Sequence, residues 1–296
     1  MGKIAFVFSG QGDQYPGMGK DLCERYTAAA AVFELCDRIR PGTSRQCFSG
    51  TEEQLSETYI TQPCLFAVEM ATFAVLLDRG VKPDAAAGFS LGEVTAAAAS
   101  GLFDIETGFR LVCARGDLMQ KAAEKADTSM AAVLRLEADK VIELCERYPE
   151  VYPVNFNCPG QVTVSGLTGQ LETFIRDVRA EGGRAAPLKV RGGFHSPFMK
   201  DAAESFAAVL RNTEIREGRI PLYSNMTAEP YTEDVVSLLS GQICSPVQWE
   251  STIRNMISAG IDTFIEIGPG KTLTSLIRRI SERVEAVSTA DYLKEA

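Results

Sequence analysis

Gly88-Phe89-Ser90-Leu91-Gly92 has the spacing G-x-S-x-G, with a glycine at each end of a five-residue turn. Where such a turn joins a strand to a helix, the glycines let the backbone fold back sharply and hold the serine clear of the sheet. The serine then stands over the positive end of the helix. Its hydroxyl is a weak nucleophile until a neighbouring base takes its proton. An oxyanion formed at an attacked carbonyl would accept the Leu91 backbone N–H, and a second donor would have to come from another loop. The chain has a single histidine, His195, so any imidazole base must be that residue. It lies in Gly192-Gly193-Phe194-His195-Ser196-Pro197, where two glycines and a proline prescribe an irregular loop suited to a positioned side chain. Spacing singles out no acidic partner for it: Asp104, Asp117 and Asp139 all lie between Ser90 and His195.

The elbow needs a strand before it and a helix after it, and the pattern supplies both. Residues 85–89 are short, apolar and strand-like; residues 91–100 read as a small-residue helix and 105–125 as a longer one. Residues 4–8 read as a buried strand that runs into Gly10-Gln11-Gly12. Helical patterns cover 19–39 and 61–79, the second stopped by Gly80. Beyond residue 196 come a helix over 197–211, a strand over 220–224 and helices over 232–239 and 249–259. A strand over 263–267 then leads through Gly268-Pro269-Gly270 to a helix over 271–280. Strands alternating with helices imply an α/β fold with a mainly parallel sheet covered on both faces. The middle of the chain has another rhythm. Strands over 130–136, 151–157, 161–165 and 185–190 enclose helices over 138–147 and 170–181, the βαββαβ order of a ferredoxin-like unit. The expectation is a large domain formed by residues 1–127 and 193–296, interrupted by a small domain at 128–192. His195 then falls in the hinge between them, where clefts commonly lie.

Composition narrows the function classes. With 296 residues, 45% hydrophobic and 23% charged, the chain has the make-up of a globular protein. A net charge of -9 argues against a general binder of nucleic acid or of an anionic membrane surface. No run of about 18 apolar residues stands out, so no membrane span is expected, and the apolar stretch at 4–8 is too short for a secretion signal. The eight cysteines form no C-x-x-C pair, which predicts reduced thiols, no metal site and a cytoplasmic location. Two glycine motifs mimic nucleotide loops and fail. Tyr15 stands where a dinucleotide loop has its third glycine, and Ile265 stands where a phosphate loop ending in Gly270-Lys271-Thr272 would begin. Both read as tight strand-to-helix turns.

Eight segments in order give the chain a resemblance to a known family. They are Phe8-Ser9-Gly10-Gln11-Gly12 with Tyr15-Pro16-Gly17-Met18-Gly19, Thr61-Gln62-Pro63, the elbow through Glu93, Arg115-Gly116, Asn155 through Gln161, Phe194 through Pro197, Pro246-Val247-Gln248-Trp249, and Glu266 through Gly270. Together they resemble the malonyl-CoA:acyl-carrier-protein transacylases and the related acyltransferase domains of polyketide synthases. The resemblance implies an α/β-hydrolase-like large domain with a ferredoxin-like insertion. It implies Ser90 as nucleophile, His195 as base, and the Gln11 and Leu91 amides as the oxyanion hole. Gln248 would orient the imidazole through its backbone carbonyl. Arg115 would grip the malonyl carboxylate, for which a guanidinium offers two parallel donors. Gln62, Phe194, Phe89 and Asn157 would line the acyl pocket, with Phe194 limiting room for a branched acyl group. Phe89 departs from the pattern, since the family most often has histidine before the serine. Malonyl-CoA would be the substrate and an acyl carrier protein the partner, with no bound cofactor, no metal and a monomeric chain. Arg184, Lys189, Arg191, Lys271, Arg278 and Arg279 are the cations available to the carrier or to CoA phosphates. Two rivals remain at this stage: an editing acyl hydrolase that uses the same Ser90 and His195, and a non-catalytic carrier-binding subunit.

Overall fold

The computed structural model describes residues 2–232 and 234–295. Its strands are β1 (Lys3–Phe8), β2 (Ala85–Gly88), β3 (Thr128–Leu134), β4 (Val151–Cys158), β5 (Gln161–Leu167), β6 (Arg184–Pro187), β7 (Leu222–Tyr223), β8 (Ile261–Ile267) and β9 (Glu285–Ser288). They form two sheets. The larger has the order β7-β2-β1-β8-β9 and is parallel throughout. The smaller has the order β4-β5-β3-β6 and is antiparallel. With the helices Ala138–Cys145 and Thr168–Ala180 between its strands, the smaller sheet has the ferredoxin-like connectivity read for the middle of the chain.

Strand alternation explains why the large sheet is covered on both faces. Phe6 and Phe8 of β1, Ala86 of β2 and Ile265 and Ile267 of β8 enter one core. Ala5 and Val7, Ala85 and Ala87, and Phe264 enter the other. The small sheet packs its two helices through Val133, Val164, Leu144 and Phe174. The centre of the first core is the helix Thr58–Asp78, which starts three residues before the expected position and carries Pro63 within it. By length and composition this helix is apolar enough to cross a membrane, which the absence of a conspicuous apolar run did not anticipate. The protein instead covers it: 83% of its most apolar window is buried inside the fold.

Elsewhere the elements differ from expectation at specific places. The helical pattern over 19–39 breaks at Tyr26, which is extended, leaving Lys20–Arg25 and Thr27–Ile39. No glycine or proline marks the break. At the break the Arg79 guanidinium lies over the Tyr26 ring and donates to its hydroxyl at 3.0 Å. Short helices at Thr43–Ser49 and Glu52–Ser56, the edge strand β9 and the helix Thr289–Glu295 carry no pattern long enough to read. β6 ends at Pro187 rather than 190, β7 shrinks to two residues, and the helix expected over 232–239 is Val235–Gly241. Glu233, within that expected helix, lies outside the described residues.

Candidate active site

The elbow sits where β2 ends and the helix Leu91–Ser100 begins, at the carboxyl end of the parallel sheet. Its glycines are required by contact. A Cβ on Gly88 would lie 2.0 Å from the Gly92 carbonyl carbon, and one on Gly92 would lie 2.3 Å from the Phe8 carbonyl oxygen. Ser90 itself takes φ 56° and ψ -109°, a conformation that costs a non-glycine residue about 1–3 kcal/mol. Asn225, two residues past β7, holds this backbone in place. Its Oδ1 accepts the Ser90 N–H at 2.7 Å, and its Nδ2 donates to the Gly88 carbonyl at 2.6 Å. Asn225 is in turn fixed by Glu93, one helical turn beyond the serine, whose Oε1 accepts the Asn225 N–H at 3.0 Å and the Tyr231 hydroxyl at 2.6 Å. Burial pushes the Glu93 carboxyl up to about 8, against the hydrogen bonds from Tyr231 and Asn225 that favour its charged form.

His195 comes to the serine from the loop that follows the small sheet. Its Nε2 lies 2.7 Å from Ser90 Oγ, and its Nδ1 lies 2.7 Å from the backbone carbonyl of Gln242. That second bond assigns the proton to Nδ1 and leaves Nε2 as the acceptor facing the serine. The histidine backbone also takes a positive φ, 61°, and its N–H donates to the Ile243 carbonyl at 3.2 Å. Burial, and then the charge of Arg115, push the imidazole down to about 4. It is therefore neutral, as a base must be.

The carbonyl partner corrects the expectation for Gln248. That residue precedes the helix Trp249–Ser258, and its carbonyl accepts the first intrahelical bond, from the Thr252 N–H at 2.9 Å. Its N–H donates to the Asn225 carbonyl at 2.8 Å, so Gln248 supports the loop that carries Asn225. Gln242 performs the orienting contact from a 3-10 turn, Gln242–Cys244. It lies six residues upstream, directly after Gly241, in a stretch that matches no motif. Only its place beside the proline-containing segment would have pointed to it.

Arg115, on the helix Ile105–Ala123, is completely buried. Its Nη1 donates to Gln62 Oε1 at 2.7 Å. Its Nη2 donates to Gln242 Oε1 at 3.1 Å and to Ser90 Oγ at 3.3 Å. Burial pushes the guanidinium down to about 10, which leaves it charged at neutral pH. Its Nε is buried without a partner among the described residues. A cavity of about 90 Å3 lies between these groups, and every expected site residue lines it except Asn157 and Gln248. Gln11 is on its wall, and its side chain is held by the Thr58 hydroxyl at 2.7 Å. Leu91 is the first residue of the elbow helix, where an N–H has no intrahelical acceptor. Phe89 packs edge-on against Trp249, ring centroids 5.5 Å apart, and so closes the cavity with an apolar face.

Asn157 lies beside the Ser90 cavity rather than on its wall. It donates to Thr163 Oγ1 at 3.2 Å and lines an adjoining cavity. Asn155, two residues earlier on the same face of β4, is the one that reaches the Ser90 cavity. A two-residue step moves about 6.6 Å along a strand, and β4 is anchored at this end by its bridge to Val247.

Comparison with known proteins follows this geometry. A family model for the acyl transferase domain matches residues 5–294. The malonyl CoA-acyl carrier protein transacylase of Bacillus subtilis is 37% identical over 98% of this chain and 94% of its own. The chain belongs to the malonyl-CoA:acyl-carrier-protein transacylase family. Among solved structures of that family, the transacylase of Clostridium perfringens superposes with a TM-score of 0.94 at 34% identity, covering 99% of this chain and 98% of its own. A malonyl-transacylase solved in complex with its type II polyketide-synthase acyl-carrier protein superposes with a TM-score of 0.95 at 31% identity, covering 99% and 100%. The transacylase fold thus accounts for both sheets.

Proposed function

We propose that this chain transfers a malonyl group from malonyl-CoA to the phosphopantetheine thiol of an acyl carrier protein, through an ester on Ser90. The observation that carries this reading is a buried guanidinium, hydrogen-bonded only to neutral groups among the described residues, 3.3 Å from a serine that an imidazole already contacts. Membership of the transacylase family supports the same substrate and the same partner.

In the first half-reaction the malonyl carboxylate pairs with Arg115, displacing its weak contact to Ser90 Oγ. The hydroxyl proton passes to His195 Nε2 as Oγ bonds to the thioester carbon. The Gln11 and Leu91 amides receive the oxyanion. The imidazolium, held by the Gln242 carbonyl rather than by a carboxylate, gives its proton to the departing CoA sulfur as the C–S bond breaks. In the second half-reaction the carrier thiol loses its proton to His195, its sulfur bonds to the ester carbon, and Ser90 regains the proton as the C–O bond breaks. The arm would enter along the wide groove of about 770 Å3 that shares Gln11, Leu188 and Val190 with the acyl cavity. Lys189 and Arg191 are that groove's cations available to the phosphates of CoA or to an acidic carrier, in a lining that also holds Glu53, Glu57 and Glu124. The cavity itself is small, and the buried Phe194 ring on its wall favours an unbranched acyl group.

Incubation with malonyl-CoA is expected to add a malonyl mass to the peptide containing Ser90. The adduct should discharge to a holo carrier protein far faster than to water. An adduct of equal yield in Ser90→Ala would remove the nucleophile assignment, and equal discharge to water would make the enzyme a hydrolase.

A further inference from the structure

Gln242 serves the site twice: its main chain orients His195, and its side chain is a separate device. The side chain is fully buried and both ends of its amide are engaged. Nε2 donates to the Ser90 backbone carbonyl at 3.1 Å, which fixes which end is oxygen. Oε1 then accepts from Arg115 Nη2 at 3.1 Å. The amide is a rigid link from the backbone of the nucleophile to the cation beside it.

We propose that the Gln242 side chain is a positioning and specificity-determining residue, which holds the Arg115 guanidinium over Ser90 without neutralising it. The inference rests on the reading that Arg115 receives the malonyl carboxylate. Two requirements meet in this one contact. In a malonyl thioester a single methylene separates the carboxylate from the acyl carbon. The cation must therefore sit within a few ångströms of the serine oxygen, at a distance the backbone link maintains. The cation must also arrive charged, because a carboxylate partner within the protein would compete with the substrate. The described acceptors on Arg115 meet this condition: two amide oxygens, from Gln62 and Gln242, and one hydroxyl. The nearby carboxyl of Glu93 makes no hydrogen bond to the guanidinium among the described residues, and burial, which raises its pKa to about 8, disfavours its charged form. Neutral amides orient a guanidinium and leave its full field for the ligand.

The test compares kcat/KM for malonyl-CoA and acetyl-CoA, with a holo carrier protein as acceptor, in wild type, Gln242→Glu, Gln242→Met and Arg115→Ala. Any substitution at 242 keeps the main-chain carbonyl that orients His195, so loss of that contact does not confuse the result. Gln242→Glu supplies an internal carboxylate to the guanidinium, and the malonyl-to-acetyl ratio is expected to fall about 10- to 100-fold. Gln242→Met keeps the bulk, removes the link and leaves the charge, and the ratio is expected to fall about 3- to 10-fold. Methionine decides alone where the glutamate variant does not fold. Equal losses for the two substrates in the folded variants, or an unchanged ratio, would overturn the proposal. Arg115→Ala separates the two levels. If it leaves the ratio intact, the carboxylate reading itself fails; if it abolishes the ratio while the Gln242 variants keep it, only the role of Gln242 fails.

Discussion

At the scale of single residues, the site depends on two strained backbones and one buried charge. Ser90 and His195 both take positive φ, and each is held there by hydrogen bonds from elsewhere in the chain. Neither a serine nor a histidine favours that conformation by itself, so the strain marks residues whose placement their glycine-flanked turns and the rest of the fold impose. The charge has a consequence for pH dependence. Burial and the Arg115 cation both disfavour the imidazolium, so His195 titrates near about 4 instead of at 6.5. The acid limb of kcat/KM, which reports the free enzyme, should therefore lie well below 6.5. Removing a neighbouring cation raises the pKa of a base, so in Arg115→Ala the limb should move up towards the ordinary value. Acetyl-CoA is the substrate for this comparison, because it lacks the carboxylate that Arg115 would bind. A wild-type limb at 6.5, or one that Arg115→Ala leaves in place, would contradict this account.

At the scale of elements, the elbow works because strand and helix approach closely enough to exclude every side chain but glycine's. The consequence is a prediction for Gly92→Ala. The added methyl would lie 2.3 Å from the Phe8 oxygen and 2.5 Å from the Ser9 oxygen, both main chain at the end of β1. The helix must shift away from the sheet, and the folded state should lose about 1–3 kcal/mol. Because the shift displaces the Leu91 amide and Ser90 together, acylation should fall by a larger factor than stability alone explains. Urea denaturation and the rate of acyl-serine formation measure the two effects separately. The elbow was legible because its physical demand is local: two glycines at a fixed spacing between an apolar run and a small-residue helix. The small sheet was legible for the same kind of reason, since each of its strands is bounded by turns or by an amphipathic helix. The break at Tyr26 was not, because no glycine or proline marks it.

At the scale of the whole molecule, acidic groups are gathered inside the fold as well as on its surface. Glu69, on the central buried helix, accepts hydrogen bonds from Ser9 at 2.8 Å and Thr95 at 2.6 Å between the sheet and the elbow helix. Burial pushes its carboxyl up to about 8. The folded state therefore holds a proton that the unfolded chain releases near 4.5. Such a group contributes stability in full below its unfolded value, and that contribution is lost as pH rises through the folded value. Glu93 behaves alike, and burial also pushes up the carboxyls of Glu266 and Asp13, so thermal stability should decline between about pH 5 and pH 9, an order-of-magnitude window. Glu69→Gln removes one of these titrations and should flatten the decline, at roughly 2–4 °C of Tm per kcal/mol recovered. Parallel Tm profiles of the variant and the wild type across that range would refute the assignment to Glu69.

The sequence by itself determined the α/β class, the two kinds of sheet, the nucleophile candidate, the one imidazole and the family resemblance that pointed to Arg115. These follow from patterns a few residues long, or from motifs in chain order, which need no knowledge of distant contacts. Tertiary structure decided which carbonyl orients the histidine, which asparagine reaches the cavity and what holds the arginine. Gln242 and Gln248 are both glutamines in one loop region, and a sequence offers no basis for choosing between their backbones. Every main-chain carbonyl is chemically the same, and only packing brings one of them to 2.7 Å from an imidazole nitrogen. The same holds for Arg115: an arginine in a helix is ordinarily solvated, and its burial among neutral amides depends on four separated stretches of chain meeting at one point.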